Sequence, residues 1–152
     1  MTRHGRAMLG WSVATVVLTT GCVAPASTTA DYAEKAVTTA ESAVSAARTA
    51  VLTARAYADG RLPVTYLEPT LVDAEETLGS VRSTFDSVQP PATPAADDLR
   101  SAVDPLLEDA GAAVTEMRIA TRRDRTDTLL AAADDLAAAA DELDAFAREH
   151  AP

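Results

Sequence analysis

A chain of 152 residues with formal net charge −10 sets 23 acidic side chains against 13 basic ones, a balance that argues against nucleic acid as a partner, since phosphate recognition needs an excess of Lys and Arg. Apolar residues make up 47% of it but aromatics only 4%, and alanine dominates, so a core must come from close backbone approach more than from large side chains. A single cysteine excludes an intramolecular disulfide and any zinc site built on several thiolates.

The N-terminal residues fall into three parts. "MTRHGR" carries Arg3 and Arg6. "AMLGWSVATVVL" is an apolar run of about a dozen residues, long enough for a signal-peptide core and short of the roughly 18 that a membrane span needs. "TTGC" then brings the chain to its only cysteine, Cys22. Leu18, Thr19, Thr20, Gly21 and Cys22 resemble the lipobox of bacterial lipoproteins, where small residues precede an obligatory Cys. Thr19 stands where that family usually has Leu, and Leu18 lies one step early. The resemblance implies cleavage after Gly21, with Cys22 as first mature residue carrying a diacylglyceryl group on its sulfur. Two acyl chains, at about 0.8 kcal/mol per buried methylene, hold a protein on a bilayer where one would be marginal. "VAPASTTA" is small and polar, with Pro25 against helix, and reads as a flexible tether. The chain thus divides into a signal peptide, 1–21, a tether, 22–29, and a helical domain, 30–150.

Heptad spacing predicts the first helix over about 30–59, on Ala33, Val37, Ala40, Val44, Ala47, Val51, Ala54 and Ala58, with Ala36, Ala43 and Ala50 widening the stripe. Gly60 is its expected left-handed cap, and Pro63 follows. The second helix repeats the spacing with Leu67, Leu71, Ala74, Leu78, Val81, Phe85 and Val88, and Thr65 with Glu68 predicts a capping box, disturbed by Pro69. After "QPPATP", Thr93 and Pro94 fit an N-cap and first helical position, with Asp97 and Asp98 at the positive end of the helix dipole.

The third stripe runs Leu99, Val103, Leu106, Ala110, Ala113, Met117, Ala120; Pro105 inside it predicts either a kink or a helix proper that begins at Asp104. The fourth has Leu129, Ala132 or Ala133, Leu136, Ala140, Leu143 and Ala147. Extending the third register would put Asp124, Asp127 and Asp134 in the core, so a turn is expected near "TRRDRTD". The predicted fold is all-α, an antiparallel up-down bundle of four helices, or of three if residues 94–149 form one bent helix. Heptads of this kind can bury their seams within one chain or between chains.

Residue types for catalysis are scarce. His4 falls in the leader and His150 at the C-terminal end, which leaves a Ser-His-Asp arrangement without a well-placed base. The Glu-x-x-His signature of bundle di-metal sites and haem-attachment motifs do not occur in the sequence, and Met117 sits on the core stripe, so no enzyme activity, cofactor or metal is expected. On the last helix Asp127, Asp134 and Asp141 are seven apart, as are Asp135, Glu142 and Glu149, which reads as a solvated face. Arg118, Arg122, Arg123 and Arg125 cluster at the third helix end, where cations oppose its negative dipole. Their functional reading is contact with anionic lipid head groups or cell-wall polymers. Tyr57 and Tyr66 flank the turn after the first helix and are expected to pack against the bundle end.

The expectation is a non-enzymatic envelope lipoprotein, held on the extracytoplasmic face of the cell membrane by its N-terminal lipid and serving an envelope protein or cell-wall component. The alternative is a carrier of a lipid or other apolar ligand inside the alanine-lined bundle.

Overall fold

The computed structural model describes residues 26–151, and within them four helices follow one another: α1 (Thr29–Ala58), α2 (Val64–Asp86), α3 (Pro94–Arg122) and α4 (Thr126–His150). Gly21 and Cys22 lie outside the described residues. At a rise of about 1.5 Å per residue the helices are about 35–45 Å long. Cross-links fix their directions. Arg48 and Arg55 of α1 pair with Asp144 and Asp134 of α4 in reverse order, and Arg82 and Glu75 of α2 pair with Glu108 and Arg118 of α3. Tyr32 near the start of α1 meets Phe85 near the end of α2. The result is an antiparallel up-down four-helix bundle in which α1 touches α2, α3 and α4, α3 touches α2 and α4, and α2 and α4 stay apart.

The reason lies in side-chain size. The middle stripe of α1 is Ala36, Ala40, Ala43, Ala47, Ala50 and Ala54, all fully buried. Its flanks differ: Val44 and Val51 border the Arg48 and Arg55 side that α4 covers, while Lys35 and Thr39 border the groove shared with α2. Alanine brings little apolar area but lets helices approach toward the short end of the roughly 8–10 Å range. The large buried side chains come mainly from the other helices, among them Leu67, Leu71 and Phe85 of α2, Leu107 and Met117 of α3, and Leu129, Leu136 and Leu143 of α4. Small against large fills the layers, and α1 with α3 forms the short diagonal.

Both predicted turns after the odd helices are present and share one geometry. After α1, the Gly60 N–H donates to Tyr57 O (2.9 Å) and Arg61 N–H to Ala56 O (2.9 Å), and Gly60 has φ +71°. After α3, Asp124 N–H donates to Thr121 O (3.1 Å) and Arg125 N–H to Ala120 O (3.0 Å), and Asp124 has φ +50°. These are paired Schellman closures. Asp124 occupies the left-handed position that Gly60 fills in the first turn, which is why the chain reverses at "TRRDRTD" without Gly or Pro. One bent helix over 94–149 is excluded.

Thr93 caps α3 as expected, its side chain accepting from Ala96 N–H, with Pro94 first in the helix. α1 begins one residue earlier than its spacing indicates, because the Thr28 side chain accepts from Asp31 N–H. Four local expectations are corrected. Thr65 and Glu68 form no capping box: α2 starts directly after Pro63, whose extended backbone serves as N-cap, so Thr65 is already inside the helix. α3 does not restart at Asp104; it runs unbroken through Pro105, which lies on the exposed face. On its stripe Leu107 is fully buried and Leu106 only partly, since a continuous helix places Leu107 one turn after Val103, while Leu99, Val103, Ala110, Ala113, Met117 and Ala120 are buried as expected. On α1, Tyr32 is buried, while Ala33 and Ala58 are only half-covered.

A left-handed conformation costs an L-residue about 1–2 kcal/mol, least for Asp and Asn. Asp124→Gly is therefore expected to raise thermal stability slightly and Asp124→Val to lower it by about 1–2 kcal/mol, measured by circular-dichroism melts.

Candidate functional site

Three clusters carry the chemistry of the surface, and the up-down topology separates them. The first lies at the end where α1 and α3 begin and α2 and α4 finish. Thr29 and Thr93 hydroxyls, one beside each helix start, are 3.0 Å apart. Arg100 of α3 reaches across this end. Its Nε donates to the Tyr32 hydroxyl of α1 (2.9 Å) and one Nη donates to Val88 O after α2 (3.0 Å). The guanidinium also lies 5.8 Å from the Phe85 ring centre and 6.0 Å from that of Tyr32, whose centres are 5.2 Å apart. One side chain thus ties three elements by two hydrogen bonds and two cation–π contacts, in a partly desolvated position where such contacts are worth more than at the surface. Phe85 stands on the second predicted stripe, but nothing in the sequence spacing links it to Tyr32 or Arg100.

Asp104 sits one turn beyond Arg100. Its Oδ1 is buried with no hydrogen-bond partner among the described residues. Burial pushes this carboxyl above its ordinary range and the nearby Asp86 carboxylate pushes the same way, while Arg100 and Arg82 pull it back.

The second cluster is the arginine group, at the opposite end. The structure brings Arg118, Arg122, Arg123 and Arg125 to the last two turns of α3 and the turn after it, but gives partners to only two of them. Arg118 pairs with Glu75 of α2, and Arg125 lies 3.9 Å from Glu116. Arg122 and Arg123 are exposed and form no ion pair with any described residue. Arg122 borders a hollow of about 180 Å³ with Glu68, Leu71, Val72, Arg118 and Thr121. The Thr121 hydroxyl, buried there, donates to Met117 O (2.8 Å). Of the two tyrosines beside the first turn, Tyr57 packs against the core as expected, and Tyr66 is 63% exposed.

The third cluster is the acidic face of α4, whose two rows of carboxylates are exposed to solvent as expected, with part of one row also pairing with α1. Asp134 accepts from Arg55 (2.9 Å), and Arg48 bridges Asp144 (3.0 Å) and Asp141 (3.5 Å). The arginines are seven apart on α1, as are Asp134 and Asp141 on α4, so the pairs form a ladder along the alanine seam and set its register. These pairs are exposed and each contributes at most about 1 kcal/mol. The other row remains open: Asp135 and Glu142 face Asp109 and Glu116 of α3 across a groove floored by alanines. Among the described residues no group of three or more His, Cys, Asp or Glu is placed to hold a metal ion.

His150 closes the C-terminal end, its Nδ1 2.8 Å from Phe146 O and its ring stacked on that of Phe146. Beside it an open groove of about 710 Å³ runs between α3 and α4, with Leu99, Leu106 and Phe146 on its walls and Asp98, Glu142 and Glu149 on its rim. The fully buried alanines along α1 leave the interior seam closed. No described helix is long and apolar enough to cross a membrane.

Compared with protein-family models, curated proteins and solved structures, the chain matches none.

Because Asp104 holds its proton more tightly in the fold than in the unfolded chain, its ionisation costs stability above its raised pKa, and that cost fades as pH falls toward the ordinary carboxylate range. Asp104→Asn is expected to raise the melting temperature at pH 7, with the gain shrinking steadily in melts taken at lower pH.

Proposed function

We propose that the protein is an envelope lipoprotein: a signal peptide is removed after Gly21, Cys22 is acylated, and the helical bundle serves as a non-enzymatic interaction module outside the cytoplasmic membrane. The observation that carries this reading is the run from Arg3 and Arg6 through the apolar "AMLGWSVATVVL" to "LTTGC". A thiol is the side chain best suited to alkylation, and small residues before it let an extended chain enter a membrane-embedded peptidase.

The geometry of the domain supports the reading. α1 is capped at Thr28, a few residues after Cys22, so the fold begins almost at the point of attachment. Arginines of α1 answer carboxylates of α4 across one helix seam, in the ladder from Arg48 and Arg55. An accessory or adaptor role fits a rigid bundle of this kind, with its two unengaged arginines and its exposed apolar side chains gathered at one end.

Expression in a bacterial host with lipoprotein processing tests the proposal. Mass spectrometry of the purified protein is expected to find an N-terminal Cys22 bearing a diacylglyceryl group. Cys22→Ser is expected to move the protein out of the detergent-soluble membrane fraction while its helical circular-dichroism spectrum stays unchanged. Recovery of an intact leader, or of unmodified Cys22, would refute it.

A further inference from the structure

The up-down topology fixes which end of the bundle a lipid at Cys22 would hold. The seven residues from Cys22 to Thr28 span at most about 25 Å when fully extended. α3, which starts beside α1 at Thr93, is 29 residues long, so its C-terminal arginines stand about 43 Å further on. An inverted bundle, with those arginines on the bilayer, would demand more reach than the tether has. A bundle lying flat would press side walls rich in unpaired carboxylates, Asp135 and Glu142 among them, against anionic head groups. Charge and reach therefore agree on an upright stance.

A second observation falls at the same far end. Among the described residues the large apolar side chains most exposed are Leu52, Val64, Tyr66 and Val72, and three of these four belong to the first half of α2. Val72 shares the hollow bordered by Arg122. Arg122 beside the exposed Val72, with Tyr66 and Arg123 exposed at the same end, has the composition of protein–protein interfaces, whereas two free guanidinium groups are few for holding a polyanion.

We propose that the bundle stands off its bilayer with the α1–α2 and α3–α4 turns outward, and that Arg122, Arg123, Tyr66 and Val72 dock a partner protein whose face sets carboxylates beside apolar groups. The assigned use of these arginines is thus not the anchoring membrane. This rests on attachment at Cys22, but the test of the stance, on coupled vesicles, does not require that processing occurs in cells.

Cys22 is the only thiol and Trp11 the only tryptophan, so a chain beginning at Cys22 keeps every core residue and carries one coupling point and no indole. After a circular-dichroism check of folding, this chain is coupled through Cys22 to maleimide lipids in phosphatidylglycerol-containing vesicles with dansyl head groups. Tryptophan introduced as Ser27→Trp is expected to transfer energy strongly to the dansyl groups, and Tyr66→Trp hardly at all. Comparable transfer from both positions would show a flat or inverted bundle and overturn the stance. For the partner, a photo-crosslinking residue at Tyr66 in the full-length protein in cells is expected to give a discrete, protease-sensitive adduct. That adduct should be absent from a control position, Ser101, and fall at least tenfold with Arg122→Glu/Arg123→Glu. A lipid adduct, a protease-resistant polymer adduct, no adduct, or one indifferent to the arginines would overturn the docking assignment, whereas loss of acylation alone would refute only the lipoprotein reading.

Discussion

The close approach of α1 and α3 is the constraint on which the rest of the bundle depends. With a central stripe of alanines from Ala36 to Ala54, α1 can lie in contact with all three other helices, and the diagonal between α1 and α3 becomes the short one. α2 and α4 are correspondingly held apart and bring leucines and a phenylalanine each to fill the two wedges. A core of this kind gains less from transfer of apolar surface than from dense contact, since each alanine removes little area from water. Its register must then be held by other means. The Arg48 and Arg55 ladder to α4 does so along one seam, and Arg100 does so at the end where α1 and α3 begin.

The ends of the bundle are unlike each other in a way that bears on function. The end nearest the N-terminal segment is locked: Thr29 meets Thr93, Arg100 clamps Tyr32 and Val88 O, and His150 stacks on Phe146. The opposite end is built from two Schellman turns and carries Arg122, Arg123 and Tyr66 open to solvent. A rigid base and a chemically varied tip suit a module that is held at one end and contacts a partner at the other. The alanine stripe also bears on the apolar-carrier alternative, because a closed seam leaves an apolar ligand only the open grooves between helices.

Much of this architecture was legible from spacing alone. Heptads on Val37, Val44 and Val51, on Leu67, Leu71 and Leu78, and on Leu136 and Leu143 name core positions directly, because helical periodicity is a local property. The turn at Asp124 was legible indirectly, from carboxylates that a continued register would have buried. Leu107 was missed in favour of Leu106 because alternating steps of four and three from Leu99 fall on Leu106, one residue short of the position a full turn after Val103, and Pro105 suggested a break that the helix does not make. Arg100, Tyr32 and Asp104 were not legible as a group: their contacts cross 68 residues of sequence between Arg100 and Tyr32, and no spacing rule links them. The arginine cluster was visible as a run, but its division into paired and open members depends on Glu75 and Glu116, which only the packing supplies.

The claim that the α1 stripe is closed, and that its alanines set the helix spacing, is tested most directly by the stability of Ala47→Leu, since Ala47 is fully buried at the middle of the stripe. Overpacking a filled core costs about 1–3 kcal/mol, so a cooperative melt shifted to lower temperature is expected. An unchanged or higher melting temperature would contradict it, because the added side chain would then have found space inside the bundle.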